Sequence, residues 1–414
     1  MAMTDPADSP SRHPSIVDAA GVAPLSRRGF LGAAGGVALG ASALAAGRAE
    51  AAETGAPVGQ PPRRFGAEAD PILLPDPDVV ALDPAFGSLT VGSAVIERVW
   101  TGGEWLEGPA WSAMGRYLVF SDVRRSRQHR HLWEDGAVTV FRADSYNSNG
   151  NAFDFGGRQL VCEHFNRRVV RFEHDGTRRV LADAFEGRSL NSPNDVVPHP
   201  DGSVWFTDPT YGTNLAEGRP DEPGGPTNPL GRLNPRVGIE TTLPPAGTPR
   251  AGPGLYRWDS CGRVAQVLGE TELGMPNGLA FSPDHRTLYV TSTGQGPGEP
   301  PPRAGDGAIH AFTVEGDRLA SGRRLFDMVV EGVRCGPDGL KVDVFGNLWC
   351  AASGPAGYAG VVVLEPGGRP IGRIRLPEVC ANVSFGGPRR NILFMTATRS
   401  LYRLQVNVQG AAPS

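Results

Sequence analysis

Apolar residues along this chain come in short runs separated by turns, and the runs recur in a fixed order. One copy opens at Asn194 and Asp195, continues as Val196 and Val197, turns at Asp201 and Gly202, and resumes from Ser203 to Thr207. Asp-Gly between two β-rich runs predicts a hairpin, because glycine takes a positive φ without steric cost. The template occurs six times. Its second run reads Y-L-V-F-S-D (117–122), Q-L-V-C-E-H (159–164), S-V-W-F-T-D (203–208), T-L-Y-V-T-S (287–292), N-L-W-C-A-A (347–352) and I-L-F-M-T-A (392–397). Its third run lies at 130–136, 169–176, 255–262, 309–316, 361–368 and 401–406, and a fourth follows most copies, as at 138–141, 264–268 and 371–376. The sixth copy stops at its third run, and a spare strand at 94–101 can complete it.

A repeat of about 40–50 residues with four strands per copy is the pattern of a β-propeller. The expected fold is all-β: a six-bladed β-propeller with four antiparallel strands per blade, closed by the N-terminal strand, over residues 73–408, with a tail at 409–414. Two Gly- and Pro-rich stretches, 212–253 and 294–307, break the period. Both fall between a second and a third strand, so both should leave the same face, as a lid over one mouth or as unstructured insertions.

Composition narrows this further. The 56 Gly and 38 Pro are far too many for a helical protein, and 40% hydrophobic residues suffice for a large core. A net charge of −4 shows no basic face for nucleic acid. Five cysteines, an odd number without C-x-x-C, argue against a disulfide framework. Residues 1–51 read as an export signal: Ser26-Arg27-Arg28-Gly29-Phe30-Leu31, a Gly/Ala run too short for a stable membrane span, then Ala49-Glu50-Ala51 as a cleavage site. The paired arginines resemble a twin-arginine signal, so export machinery is an expected partner through residues 26–51 and the expected location is periplasmic or secreted. Residues 52–72 read as a linker.

Candidate chemistry comes from the register of the copies. Ten or eleven residues before a fixed apolar position of each second run stands a polar residue: Glu107, Asn149, Asn194, Asn277, Asp338 and Asn382. Glycine follows four of them. The first strand of each blade lines a propeller's channel, so these six side chains should converge there as an oxygen-rich, net-negative ring. Buried carboxylates are costly unless paired or on a metal, and hard oxygen donors suit Ca²⁺, Mg²⁺ or Mn²⁺. A wet channel with strand-capping amides would need no metal.

E-G-P-A-W (107–111), S-P-N-D-V-V (192–197), M-P-N-G-L-A-F (275–281) and G-P-D-G-L-K-V-D (336–343) resemble motifs of the SMP-30/gluconolactonase family, and the likeness runs through D-P-A-F (83–86), C-E-H (162–164) and V-C-A-N (379–382). The resemblance implies one divalent cation, calcium first with Zn²⁺, Mn²⁺, Mg²⁺ or Fe²⁺ also admitted, held by Glu107, Asn194, Asn277 and Asp338. It implies Asp338 as general base and a sugar lactone as the small-molecule substrate. Where animal members carry an arginine, this chain has Ser192. Asn149, His164 and Asn382 are the expected substrate contacts. Two other readings stay open: a calcium-dependent phosphotriesterase or arylesterase, and a non-catalytic propeller with structural calcium. No G-x-S-x-G elbow, H-E-x-x-H motif or Cys/His zinc spacing is found.

Overall fold

The computed structural model describes residues 60–210, 251–293 and 307–411. The export signal, most of both insertions and the last three residues lie outside the described residues. No helix among the described residues is long and apolar enough to cross a membrane. The described helices are short: a six-residue 3-10 helix at Pro84–Leu89 and one α-turn at Glu270–Leu273.

Six sheets follow one another around a ring. Blade 1 is Leu106–Ser112, Tyr117–Asp122, Arg127–Leu132 and Val138–Arg142, in that order from the channel outward. Blade 2 repeats this with Ser148–Phe153, Gln159–Glu163, Arg168–Phe172 and Arg178–Ala182. Blade 3 starts at the short Val196–Pro198, with Val204–Asp208, Gly254–Trp258 and Val264–Leu268 outside it. Blade 4 is Pro276–Phe281, Thr287–Ser292, Ala308–Glu315 and Arg318–Phe326. Blades 5 and 6 have inner strands Gly336–Val342 and Cys380–Gly386. The outer strand of blade 6 is Glu97–Thr101, paired antiparallel with Ser400–Gln405, so the two ends of the repeat close the ring as expected.

Three details depart from the sequence reading. The closing strand starts at Glu97, because Ala94 is used in a turn, donating to the Val91 carbonyl. Blade 5 has a fifth strand, Val79–Ala81, on its outer edge against Pro370–Arg375. Three residues between acidic turns are too few to signal a strand by alternation. Ala251, inside the first expected insertion, is buried and donates to the Ser189 carbonyl, so the propeller resumes before residue 254.

The core lies between blades rather than within one layer. Trp349, Val363, Phe385 and Tyr402 pack blade 5 on blade 6, and Trp205, Leu255, Leu279 and Val290 pack blade 3 on blade 4. The seam between blades 1 and 2 is different. Its buried apolar cluster is only Ala110, Val119 and Phe153, and beside it runs a polar network of Gln128, Asn151, Gln159 and Arg142. At the far end of the channel the chain's last described residues are tied down: Ala411 donates to the Val342 carbonyl and Gly410 to that of Arg390. There the channel narrows to a cavity of about 40 Å3.

Candidate active site

Each ring residue sits where its inner strand is irregular. The pairing register of inner and second strands shifts between Glu107 and Ala110, Ser148 and Asn151, Pro276 and Leu279, Pro337 and Leu340, and Cys380 and Asn382. A bulge adds a residue to one strand and re-aims its side chain. In blade 3 the regular strand begins only after Asn194 and Asp195, which still bond Thr207 through their backbones. Glycine after the ring residue lets the next blade approach. A Cβ on Gly108 would lie 2.1 Å from the Asn149 carbonyl oxygen, one on Gly150 2.4 Å from that of Asn194, and one on Gly278 2.5 Å from that of Asp338.

These approaches link all six positions into a circle. Gly108 abuts Asn149, and the Gly150 N–H donates to the Asn194 carbonyl at 2.8 Å. Second-strand hydroxyls make the next links: Thr207 donates to the Asn277 carbonyl at 2.6 Å and Thr291 to that of Asp338 at 2.9 Å. Gly339 abuts the Asn382 amide, whose Nδ2 reaches Glu107 Oε2 at 3.4 Å. The six residues that sequence register places together are therefore brought together.

Their side chains differ in how far the protein satisfies them. Glu107, Asn149, Asn194, Asn277 and Asn382 are buried, while Asp338 is partly exposed. Asn277 donates from Nδ2 to Thr293 at 2.8 Å, which fixes the amide so that its oxygen is the free end. The Val383 N–H donates to Asn382 Oδ1 at 2.9 Å, so Nδ2 faces two carboxylates, Glu107 and Asp195. Asn194 Oδ1 is buried without a hydrogen-bond partner, and so are both polar atoms of the Asn149 amide. A buried polar atom left unpaired costs about 1–3 kcal/mol, so such atoms mark where a ligand is missing from the count.

Two second-strand carboxylates hold the approach to the ring instead of joining it. Asp208 accepts from the backbone N–H groups of Asn191 and Ser192 and from the Asn191 amide, which shapes the loop into Asn194. Burial pushes its carboxyl up to about 6, against those donors. Asp122 does the same for Glu104 and Trp105, ahead of Glu107, and burial raises it as well. Ser192 is fully buried and its hydroxyl donates to the Pro209 carbonyl at 2.7 Å. His164 is buried at the end of its second strand, its backbone N–H on the Asn147 carbonyl. All five cysteines are free thiols. Burial, then the charges of Asp338 and Glu107, push the Cys380 thiol well up, so it stays protonated and unreactive behind the ring.

Sequence register missed Asp195. It occupies the slot that is glycine in blades 1, 2, 4 and 5, and it is 1% exposed with Oδ2 3.4 Å from Asn382 Nδ2. Its signal was the exception itself: a carboxylate in a slot that is otherwise glycine or, in blade 6, valine.

No three His, Cys, Asp or Glu side chains cluster as a metal site among the described residues. The ring's donors are instead two carboxylates, Glu107 and Asp338, with amide oxygens between them. That set fits a hard divalent cation, which takes carboxylate, amide and water oxygens in flexible number.

Comparison with known proteins agrees with the fold and the motif series. A gluconolactonase from Zymomonas mobilis is 27% identical over 357 residues, covering 80% of this chain and 87% of its own. A pentonolactonase from Haloferax volcanii is 28% identical over 303 residues, covering 70% and 80%. Among solved structures, a gluconolactonase from Xanthomonas campestris aligns with a TM-score of 0.62 at 31% identity, over 85% of this chain and 99% of that one. A regucalcin from Agrobacterium tumefaciens, described as a calcium-binding protein, shares the fold with a TM-score of 0.57 at 17% identity, over 77% and 95%. The family description SMP-30/Gluconolactonase/LRE-like region matches residues 105–399, which include every ring position, and the chain belongs to that family.

Proposed function

We propose that the protein is a metal-dependent lactonase that opens sugar lactones at the ring, with Glu107, Asn194, Asn277 and Asp338 holding one divalent cation, calcium first. The observation that carries this reading is the buried Asn194 Oδ1 without a protein partner, set in a circle with two carboxylates. The names of the relatives, gluconolactonase and pentonolactonase, point to the substrate class. When bound, the cation supplies Lewis acidity that draws electron density from the ester carbonyl.

The chain's own residues do the rest. Asp338 is the ring carboxylate that reaches water, being partly exposed where Glu107 is buried. Its carboxylate takes a proton from the water whose oxygen adds to the carbonyl carbon. The ring C–O bond then breaks, its oxygen takes a proton, and a hydroxy acid leaves. Asn149, with both polar atoms of its buried amide unpartnered, is placed to donate to and accept from a sugar hydroxyl. His164, buried with its backbone N–H on the Asn147 carbonyl, and Asn382, whose amide holds Glu107, are the further candidates for substrate contact. The second strands of blades 3 and 4, Val204–Asp208 and Thr287–Ser292, end on this face, where Thr207 and Thr291 bond ring carbonyls.

Proton release from glucono-1,5-lactone at neutral pH tests this directly. Wild-type protein should release protons well above the spontaneous rate, a chelator should abolish the excess, and Asp338→Asn should lower it by about 10²–10³-fold, the usual loss for a general base. Undiminished activity in the chelated protein or in the variant would rule the mechanism out.

A further inference from the structure

Of the 40 basic residues in this chain, Lys341 is the only lysine. It lies on the inner strand of blade 5, three residues beyond Asp338, with its side chain 14% exposed and Nζ 3.8 Å from Asp195 Oδ2. Asp195 Oδ2 also faces Asn382 Nδ2 at 3.4 Å, and that nitrogen lies 3.4 Å from Glu107 Oε2. Four side chains from blades 5, 3, 6 and 1 thus form a line that runs up to the ring: Lys341 and Asp195, then the ring members Asn382 and Glu107.

We infer that Lys341 and Asp195 form a neutral floor under the cation site, which leaves the ring with the two negative charges of Glu107 and Asp338, matched to one divalent cation. The inference rests on the cation reading proposed above. Its physical basis is the count of charges in one buried place. Glu107 and Asp195 approach the same amide nitrogen, so two buried carboxylates would face one another there without Lys341. A buried carboxylate without a partner is costly, and a surplus one beside a metal site adds negative charge that dulls the cation's pull on substrate. A single ammonium cancels the surplus. Lysine suits the position better than arginine, because it delivers a compact point charge on a flexible stem, whereas a planar guanidinium needs several acceptors in its plane. The cavity Lys341 lines is about 40 Å3 and mainly apolar, with Val197, Phe281 and Phe385 among its walls and Arg390 as the other cation on it. Through Asn382 the floor also positions Glu107, so Lys341 and Asp195 act as positioning residues and touch no substrate.

The test measures cation affinity by calorimetry on the full-length protein, with Ca²⁺ and with Tb³⁺, for wild type, Lys341→Met, Asp195→Asn and the double variant. Removing the ammonium should tighten Ca²⁺ by at least about tenfold, and removing the carboxylate should weaken it by at least about tenfold, since one unit charge close to a divalent ion is worth that much even when heavily screened. Lys341→Met should favour Tb³⁺ more than Ca²⁺, since the trivalent ion gains more from the charge removed. The double variant buries no unpaired charge, so it is the safest to fold, and it should bind Ca²⁺ within about threefold of wild type. If the single variants shift affinity in the same direction, or if the double variant binds more than about tenfold more weakly, the floor is a packing feature and the inference falls. If wild type binds neither ion, the cation reading itself has failed, and the inference falls with it.

Discussion

A methyl group on Gly339 would lie 2.0 Å from Cγ of Asn382 and 2.1 Å from its Oδ1. That amide is pinned by the Val383 N–H on one side and faces Glu107 and Asp195 on the other, so it has nowhere to go without releasing a carboxylate. Gly339→Ala should therefore lower stability by about 1–3 kcal/mol, the usual cost of forcing atoms into a packed site, and lower lactone turnover as well. Gly92→Ala, with nothing within 4 Å, is the matched control and should change neither urea unfolding nor initial rate. At this scale the ring was readable because its members keep register with strong apolar positions, and because the glycine that follows four of the six is a space requirement written into the chain. Lys341 was not readable, and Asp195 showed only as an exception to the glycine that follows most ring residues. A bulge shifts which residues face the channel, and nothing in a linear count says that one residue past an Asn, or three past an Asp, will meet on the axis.

Whole strands were legible for a simpler reason: blades such as 1 and 4 bury an inner and a second strand almost completely, so alternation gives way to solid apolar runs between turns. What strands could not disclose was how each pair of blades seals. Between blades 1 and 2 the Gln159 amide donates to Asn151 Oδ1 at 3.0 Å and accepts from Arg142 at 2.8 Å. Gln128 donates to Asn151 Oδ1 at 2.8 Å, and Asn151 donates to the Gly108 carbonyl, also at 2.8 Å, which ties the seam to the ring. Burial lowers the Arg142 guanidinium to about 10. Such networks hold only while every member is satisfied. Gln159→Leu, although more apolar, should cost about 1–2 kcal/mol, since it takes one of two acceptors from Arg142 and one of two donors from Asn151 Oδ1. Guanidinium unfolding of the variant measures this, and an unchanged midpoint would mean that water replaces the lost amide.

For the molecule as a whole, closure is the decisive contact, and two histidines lie against it. His129 and His131 sit on the third strand of blade 1. His129 packs on Trp100 of the closing strand with ring centroids 4.8 Å apart, and His131 packs on Phe394 of blade 6 at 5.7 Å. Burial lowers both imidazoles to about 4, helped at His129 by Arg127 and Arg125 and at His131 by Arg403, with Asp135 opposing. Both are therefore neutral in the folded ring. Because the folded values lie below the unfolded one near 6.5, the unfolded chain binds protons first as pH falls, and stability is full above about pH 6.5 and drains away down to about pH 4. Asp208, raised to about 6, acts in the opposite sense over part of this window, holding a proton in the folded state that the unfolded chain has released. Comparing variants cancels that contribution. His131→Leu removes two buried ring nitrogens that find no partner in another residue, so it should not weaken the fold at pH 7.5. At pH 5 it should spare about 2 kcal/mol of the acid loss, the share of one histidine with these values. Melting temperatures of wild type and variant from pH 7.5 to 5 measure the difference. Parallel curves would place the acid-sensitive step away from this seam, whereas a variant that melts a few degrees above wild type only at the acid end would place it where the first and last strands of the propeller meet.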